Sequence, residues 1–318
     1  MSRRAAFVLC CLAAAAQDRP FRVQTRIVQV PTVITDKTGR YIDGLLAQDF
    51  TVLDNGVPQQ ITVDDFGAGL PPISLVIAIQ SSAISKLALA KIRRIAGMIQ
   101  PLVTGERGQA AVVSFDREIH WLQDFTSSDD KIRAAINSVK PGALGGARMF
   151  DAIVETAART KTRPGRKILL LISQSQDAGS SARFQQAVEA VERQDIEVFA
   201  AHYSSYAMSW IAKSEDFPDK PELDAMFFAE LTRIGATNHV KALALATGGT
   251  DYPFARQQGI ENAISHLAVE VHSQYILSFP PREHSAGMHR IEVSLVDRVG
   301  LLVRARRAYW ADESETSQ

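Results

Sequence analysis

Apolar residues in this chain follow two periods. Residues 74–79, 167–172 and 196–201 are short, continuous apolar runs, the pattern of strands covered on both faces. Between them the apolar positions recur at helical spacing. Ala88, Ile92, Ile95, Ile99 and Leu102 make one stripe, with Ser85 as expected N-cap. Ile132, Ala135, Ile136 and Val139 make a second behind Ser127, with Asp129 and Asp130 in the first turn and Pro141-Gly142 as the stop. Residues 150–160, 181–193 (Phe184, Val188 and Val191 inward), 223–234 and 239–247 are also predicted helices, the last stopped by Gly248-Gly249. Residues 258–272 close the series with Ile260, Ile264, Leu267 and Val271 on one face. Residues 109–115 and 119–122 read as strands around Asp116-Arg117-Glu118. Strands alternating with helices imply right-handed crossovers and a mostly parallel sheet.

The two ends have a different rhythm. In residues 21–34, Val23, Thr25, Ile27, Gln29 and Pro31 alternate loosely with their neighbours, as in a strand. Asp36-Lys37-Thr38-Gly39 is a turn. Residues 50–53 and 60–63 flank Asn55-Gly56, a strong hairpin signal. Gly67-Ala68-Gly69-Leu70-Pro71-Pro72 links this segment to the central domain. After Gln274 the chain returns to strands, with Ile291, Val293 and Leu295 alternating with Glu292, Ser294 and Val296. Isolated hairpins are marginal in water, so the two ends are expected to pack on each other. The expected organisation is a segment 1–16, a β-rich part 17–70, a central α/β domain 71–273, strands over 274–311 and a polar tail 312–318.

Residues 203–221 break the pattern and read as a long surface loop. Its Tyr203, Tyr206, Trp210 and Phe217 suit either an interface or packing of the loop on its own domain. Arg304, Arg306 and Arg307 read as the wet or edge-protecting side of a strand, with anion binding as the alternative.

Composition adds compartment. The chain has 318 residues with 35 basic and 35 acidic, a balance that favours neither nucleic acid nor an anionic membrane. Arg3-Arg4, an apolar stretch and Ala14-Ala15-Ala16 before Gln17 have the layout of a signal peptide; the alternative is a frayed helix. Both cysteines, Cys10 and Cys11, fall in it, so cleavage leaves a thiol-free chain in the periplasm or outside the cell. No later apolar run approaches the about 20 residues that span a bilayer.

Candidate chemistry clusters where strands should end or helices begin. Gln80-Ser81-Ser82-Ala83-Ile84 follows the first buried run, Gly145-Gly146-Ala147 opens a helix, and Ser173-Gln174-Ser175-Gln176-Asp177 follows another run. Open α/β sheets bind ligands at the carboxyl ends of their strands. Asp177 is expected to cap the next turn and Asp151 to face a neighbouring loop, with weak cation binding by either as the alternative.

These three loops resemble those of the von Willebrand factor type A (VWA) domain. Residues 33–40, 49–61, 274–281, 289–293 and 303–310 are similar in order to the VWFA-related proteins of the acidobacterial type. The resemblance implies a Rossmann-like α/β fold with β-rich additions at both ends. It also implies a metal-ion-dependent adhesion site built from Asp-x-Ser-x-Ser, a Thr and a second Asp. On those positions stand Gln80, Ser82, Ile84, Ala147 and Gln174. Magnesium takes hard oxygen ligands, usually with one or two carboxylates. The resemblance therefore implies a degenerate site that holds no metal or other cofactor, with Gln80, Ser82 and Gln174 either facing a partner or merely capping strand and helix ends. Asp177, Tyr206 and Trp210 are its expected rim.

Competing chemistry is thin. The seven histidines lack zinc spacing, and there is no Gly-x-Ser-x-Gly elbow or phosphate loop. The sequence points to an exported, non-catalytic protein that binds an unidentified protein partner. A hydrolase using unconnected Asp and Ser residues and a purely structural envelope component are the alternatives.

Overall fold

The computed structural model describes residues 27–64, 71–105, 107–142, 146–203, 238–254, 257–282 and 285–311. The expected signal segment, most of the long loop, the helix over 223–234 and the tail 312–318 lie outside the described residues.

The centre is a six-stranded sheet. Its strands are β5 (Ile73–Gln80), β6 (Gln109–Phe115), β7 (Ile119–Thr126), β8 (Arg166–Ser173), β9 (Ile196–Tyr203) and β10 (Asp251–Phe254), in the order β10-β9-β8-β5-β6-β7. All pairings are parallel except the β6–β7 hairpin. All eight residues of β5 are buried, which is why its sequence shows no alternation. Helices α1 (Lys86–Thr104), α2 (Asp129–Ser138) and α6 (Gln257–His272) cover one face. Helices α3 (Met149–Thr160), α4 (Phe184–Arg193) and α5 (His239–Thr247) cover the other. The chain is thus a mixed α/β protein with a mostly parallel sheet flanked by helices.

Four local expectations are corrected. Val103, not Leu102, completes the buried stripe of α1, because 3.6 residues beyond Ile99 falls between the two. Ser128, not Ser127, caps α2, its Oγ accepting from the Lys131 N–H. Ser85 stands at the N-cap of α1, but its hydroxyl makes no capping bond. The short strand β10 was not foreseen, since Pro253 interrupts its pattern; it forms a sheet edge, where a missing N–H is tolerated.

The ends do pair. They supply β1 (Val28–Thr35), β2 (Phe50–Asp54), β3 (Val57–Pro58), β4 (Thr62–Val63), β11 (Tyr275–Phe279), β12 (Gly287–Leu295), β13 (Leu302–Ala305) and β14 (Ala308–Ala311). Two four-stranded sheets result, in the orders β13-β1-β11-β4 and β14-β12-β2-β3. The first alternates strands from the two termini and the second joins a C-terminal pair to an N-terminal pair; Val28, Val30, Phe50, Val52, Leu277, Phe279, Ile291 and Tyr309 form their shared core. In β1 the even positions 28, 30, 32 and 34 turn inward, while Ile27 is half exposed. Asn55 and Gly56 make the β2–β3 turn, both with positive φ (47° and 81°), which is why Asn-Gly marks it. The expected second flank splits: Thr62–Val63 pairs with β11 in the other sheet.

The β-rich part is joined to the α/β part by buried charge. Arg306 is 4% exposed and its guanidinium binds Glu192 at 2.6 Å and Asp195 at 2.6 Å. Burial alone would weaken its proton, but these two carboxylates hold it more tightly than usual. Arg304 pairs with the buried Glu270 at 2.6 Å. The wet-strip expectation for Arg304 and Arg306 is therefore overturned: their partners on α4 and α6 are remote in sequence. Gly248 ends α5 with φ +87°, and a Cβ there would lie 2.7 Å from the Arg306 backbone nitrogen, so this close approach requires glycine.

Candidate functional site

Strands β5, β6, β8 and β9 run parallel and deliver their carboxyl ends to one edge. From β5 the chain crosses to β6 through α1 on one face. From β8 it crosses to β9 through α4 on the other. The crossovers diverge between β5 and β8, which makes that gap the switch point where open α/β sheets place ligands.

Gln80 and Gln174 meet there. Gln80 ends β5 and is 1% exposed. Its Oε1 accepts the backbone N–H of Gln174 at 2.8 Å, and its Nε2 donates to Ser82 Oγ at 2.8 Å. Ser82 Oγ lies 3.2 Å from Ser85 Oγ, which accepts from the Tyr203 hydroxyl at 2.7 Å. One buried polar chain thus runs from the end of β8, through β5 and its following turn, to the end of β9. Burial pushes the Tyr203 phenol above its usual range, so it stays a donor.

Tyr203 had been grouped with the aromatics of the long loop. It is the last residue of β9, buried and packed on Phe254 with ring centroids 5.7 Å apart. Ile84 lies in the 3-10 turn Ala83–Ser85, with its side chain outside the described set. Tyr206 and Trp210 also lie outside the described residues.

The third loop closes onto the second. Ala147, buried, forms an antiparallel bridge with Ala178, its N–H reaching the Ala178 carbonyl at 2.5 Å and its carbonyl accepting at 3.0 Å. Asp177 caps two things: its Oδ1 accepts from the Phe150 N–H at 3.1 Å in the first turn of α3, and its two oxygens hold the Ser180 hydroxyl and N–H. Asp151 accepts the N–H groups of Ser181 and Ala182 and the Arg148 guanidinium. Burial raises its pKa, but those three donors outweigh it and leave the carboxyl below its ordinary value. Both carboxylates serve turn and loop, in the roles their positions suggested.

Sequence reasoning missed His239. Its Nδ1 accepts the Asp177 N–H at 3.0 Å, and its ring packs against Phe150 (4.8 Å) and Phe184 (5.7 Å). The contact spans 62 positions, and no local pattern announces it.

The donor set fits a cation poorly. Ala147 offers no side-chain ligand, the Gln80 carbonyl already accepts a hydrogen bond, and Ser82 already receives one. Magnesium favours carboxylate and water oxygens in octahedral array. Among the described residues no three His, Cys, Asp or Glu side chains gather as a metal site.

A second polar cluster lies in the β-rich part. The buried His289 has Nδ1 2.9 Å from Asp54 Oδ1 and Nε2 3.0 Å from Ser285 Oγ, the connectivity of an acyl-transfer triad. The Ser285 carbonyl lies nearer to Nε2, at 2.7 Å. A carbonyl oxygen only accepts, so Nε2 carries a proton here and is not a base for the serine. Tyr309 donates to Asp54 Oδ2 at 2.8 Å, completing a knot that ties β2, β12 and β14.

No family model and no curated protein matches the chain. Solved structures do. The von Willebrand factor domain of the type V pili tip protein Mfa5 from Porphyromonas gingivalis is 23% identical, over 34% of this chain and 39% of its own, with a TM-score of 0.30. The chain therefore spans well under two thirds of that protein's length. BatB from Bacteroides thetaiotaomicron is 15% identical over 62% of this chain and 99% of its own, with a TM-score of 0.43. A von Willebrand factor type A protein from Catenulispora acidiphila is 9% identical over 94% and 78%, with a TM-score of 0.45. These are likenesses of fold. The class, a doubly wound α/β sheet with its switch point at Gln80 and Gln174, rests on the strand order and helix layers above.

Proposed function

We propose that the chain is an exported, non-catalytic binding protein of the VWA kind. Its partner is a protein, docked on the face around Gln80, Ser82, Ile84, Ala147 and Gln174 without a bridging cation. The observation that carries the reading is the Gln80 amide, which joins β5, β8 and the Ser82 turn at the switch point where a cation-dependent relative would need a carboxylate. The pili-tip setting named for the Mfa5 neighbour agrees with a binding role, as does the signal-like N-terminus. No described helix is long and apolar enough to cross a membrane.

The test is cross-linking of the exported chain to an envelope extract, with and without EDTA. The expected result is a captured protein that persists in EDTA and is lost in Ala178→Arg, which places a bulky charge at the exposed bridge partner of the buried Ala147. Capture abolished by EDTA, or unaffected by Ala178→Arg, contradicts the reading.

The Ser285–His289–Asp54 spacing favours one rival, a serine hydrolase. It predicts that a fluorophosphonate probe labels the chain and spares Ser285→Ala. The proposed reading predicts no Ser285-dependent labelling, because Nε2 is engaged by the carbonyl.

A further inference from the structure

The loop 174–180 is tied down on three sides: to Gln80 through the Gln174 N–H, to Ala147 through the Ala178 bridge, and to α5 through His239. The third tie differs in kind. A backbone N–H can be accepted by Nδ1 only while that nitrogen carries no proton. The geometry fixes His239 as the neutral ring with its proton on Nε2, and flanking by Phe150 and Phe184 opposes a ring flip that would offer the other nitrogen. We infer that His239 is an acid-released latch on the candidate binding face: neutral, it clamps the Asp177 segment to α5, and on protonation the Asp177 N–H loses its acceptor and the loop loosens. The importance assigned to this loop rests on the binding-face reading above; the latch itself does not.

The surroundings set the direction. Burial lowers the His239 pKa below its ordinary value, against the opposing pull of the Asp177 carboxylate. His239 opens α5, whose positive dipole end also disfavours a cation. Phe150 on α3 and Phe184 on α4 face the ring without charge. Asp177 is the charged group that faces it from the loop, and Lys241 is the nearest cation on its own helix. Asp177 is itself occupied by Phe150 N and Ser180, so capturing the imidazolium would disturb the α3 cap. A lowered histidine pKa means the tie is complete above about pH 6.5 and is lost as pH falls through the folded value.

Loss of the Asp177 tie leaves the neighbouring ties exposed to fraying. Ala178, one residue on, bridges to Ala147, and Val240 N donates to Ser175 O at 3.4 Å, a long bond. The released segment therefore includes both edges of the Ala147–Gln174 face, and partner affinity should become pH-dependent there.

The test uses the full chain and needs no partner. Amide exchange of residues 174–180 is measured at steps from pH 7.5 downward, corrected for intrinsic rates, alongside the histidine ring nitrogens by NMR. The expected results are an Nε2–H tautomer for His239 at pH 7.5 and a loss of protection at Asp177 that follows the His239 ring titration, growing about tenfold for each pH unit below its midpoint. In His239→Asn, whose carbonyl can accept at any pH, the protection should be pH-independent. An Nδ1–H tautomer, or protection that falls equally in His239→Asn, overturns the latch. The tautomer readout stands if the variant fails to fold. A pH-insensitive loop with EDTA-resistant partner capture sinks the latch alone; a working latch with no partner captured sinks the binding reading alone.

Discussion

The side-chain amide of Gln80 sits between two strands, taking the Gln174 N–H at 2.8 Å while giving its own N–H to Ser82. A buried neutral amide at this point satisfies backbone and side-chain groups at once. Removing it leaves a backbone donor and a hydroxyl in a dry place.

Gln80→Ala should therefore destabilise the protein by about 2–3 kcal/mol, the order of two buried hydrogen bonds with one donor left unpaired. Gln174→Ala should cost less than about 1 kcal/mol, because Gln174 contributes its backbone, not its side chain, to the bond. Urea denaturation of the two variants checks the contrast. Equal costs would mean that the Gln80 amide does not bridge the strands.

Arg306 should be the least replaceable residue of the join between the β-rich and α/β parts. Arg306→Leu leaves Glu192 and Asp195 without their cation, and breaking a buried pair on one side costs about 3–5 kcal/mol. Arg307→Leu, at an exposed neighbouring position, should cost about 1 kcal/mol or less, the range of solvent-screened surface ion pairs. Thermal denaturation that ranks the two alike would show that the buried pair does not hold the parts together.

The interleaved ends make a third prediction. Ile291 on β12 is 4% exposed, so Ile291→Asp should cost several kcal/mol, roughly 3 or more for an unpaired buried charge. Glu292→Lys on the exposed side should be nearly neutral. Because β2 pairs with β12 and β1 with β13, deletion from His289 onward should raise hydrogen exchange over residues 28–54. Unchanged exchange there would mean that the N-terminal strands hold without their partners.

Asp151 gives a pH dependence. Its carboxyl is held below its ordinary value by the Ser181 and Ala182 amides and Arg148, against burial. A depressed carboxylate contributes stability above about pH 4 that is lost as pH falls through the folded value. Asp151→Asn should cost about 1 kcal/mol at pH 7, and the gap to the parent should close in acid below pH 4. A gap that does not narrow at all as the pH falls below 4 would assign the cost to shape, not charge.

Much of the fold is legible because it is written locally. The runs ending at Gln80 and Ser173 announce buried strands, Asn55-Gly56 announces its hairpin, and the α6 stripe from Ile260 to Val271 is continuous. Even the pairing of the ends follows from the weakness of lone hairpins. Arg306 was misread because a cation in an alternating strand looks wet unless Glu192, 114 positions earlier, is known to lie beneath it. His289 and Asp54, 235 positions apart, were invisible for the same reason, as was the tie from His239 to Asp177. The positions of the candidate face could be placed from sequence; the chain of hydrogen bonds that fills it could not.

The central claim is that the switch point is closed by Gln80 and takes no divalent cation. Melting of the purified chain with and without 5–10 mM MgCl2 or MnCl2, against NaCl of matched ionic strength, tests it directly; concentrations of roughly that size reveal millimolar binding through RT ln(1 + [L]/Kd). The account predicts no rise in melting temperature beyond the salt control. A clear, saturable rise with either divalent ion, removed by EDTA and absent in Ser82→Ala, would contradict it.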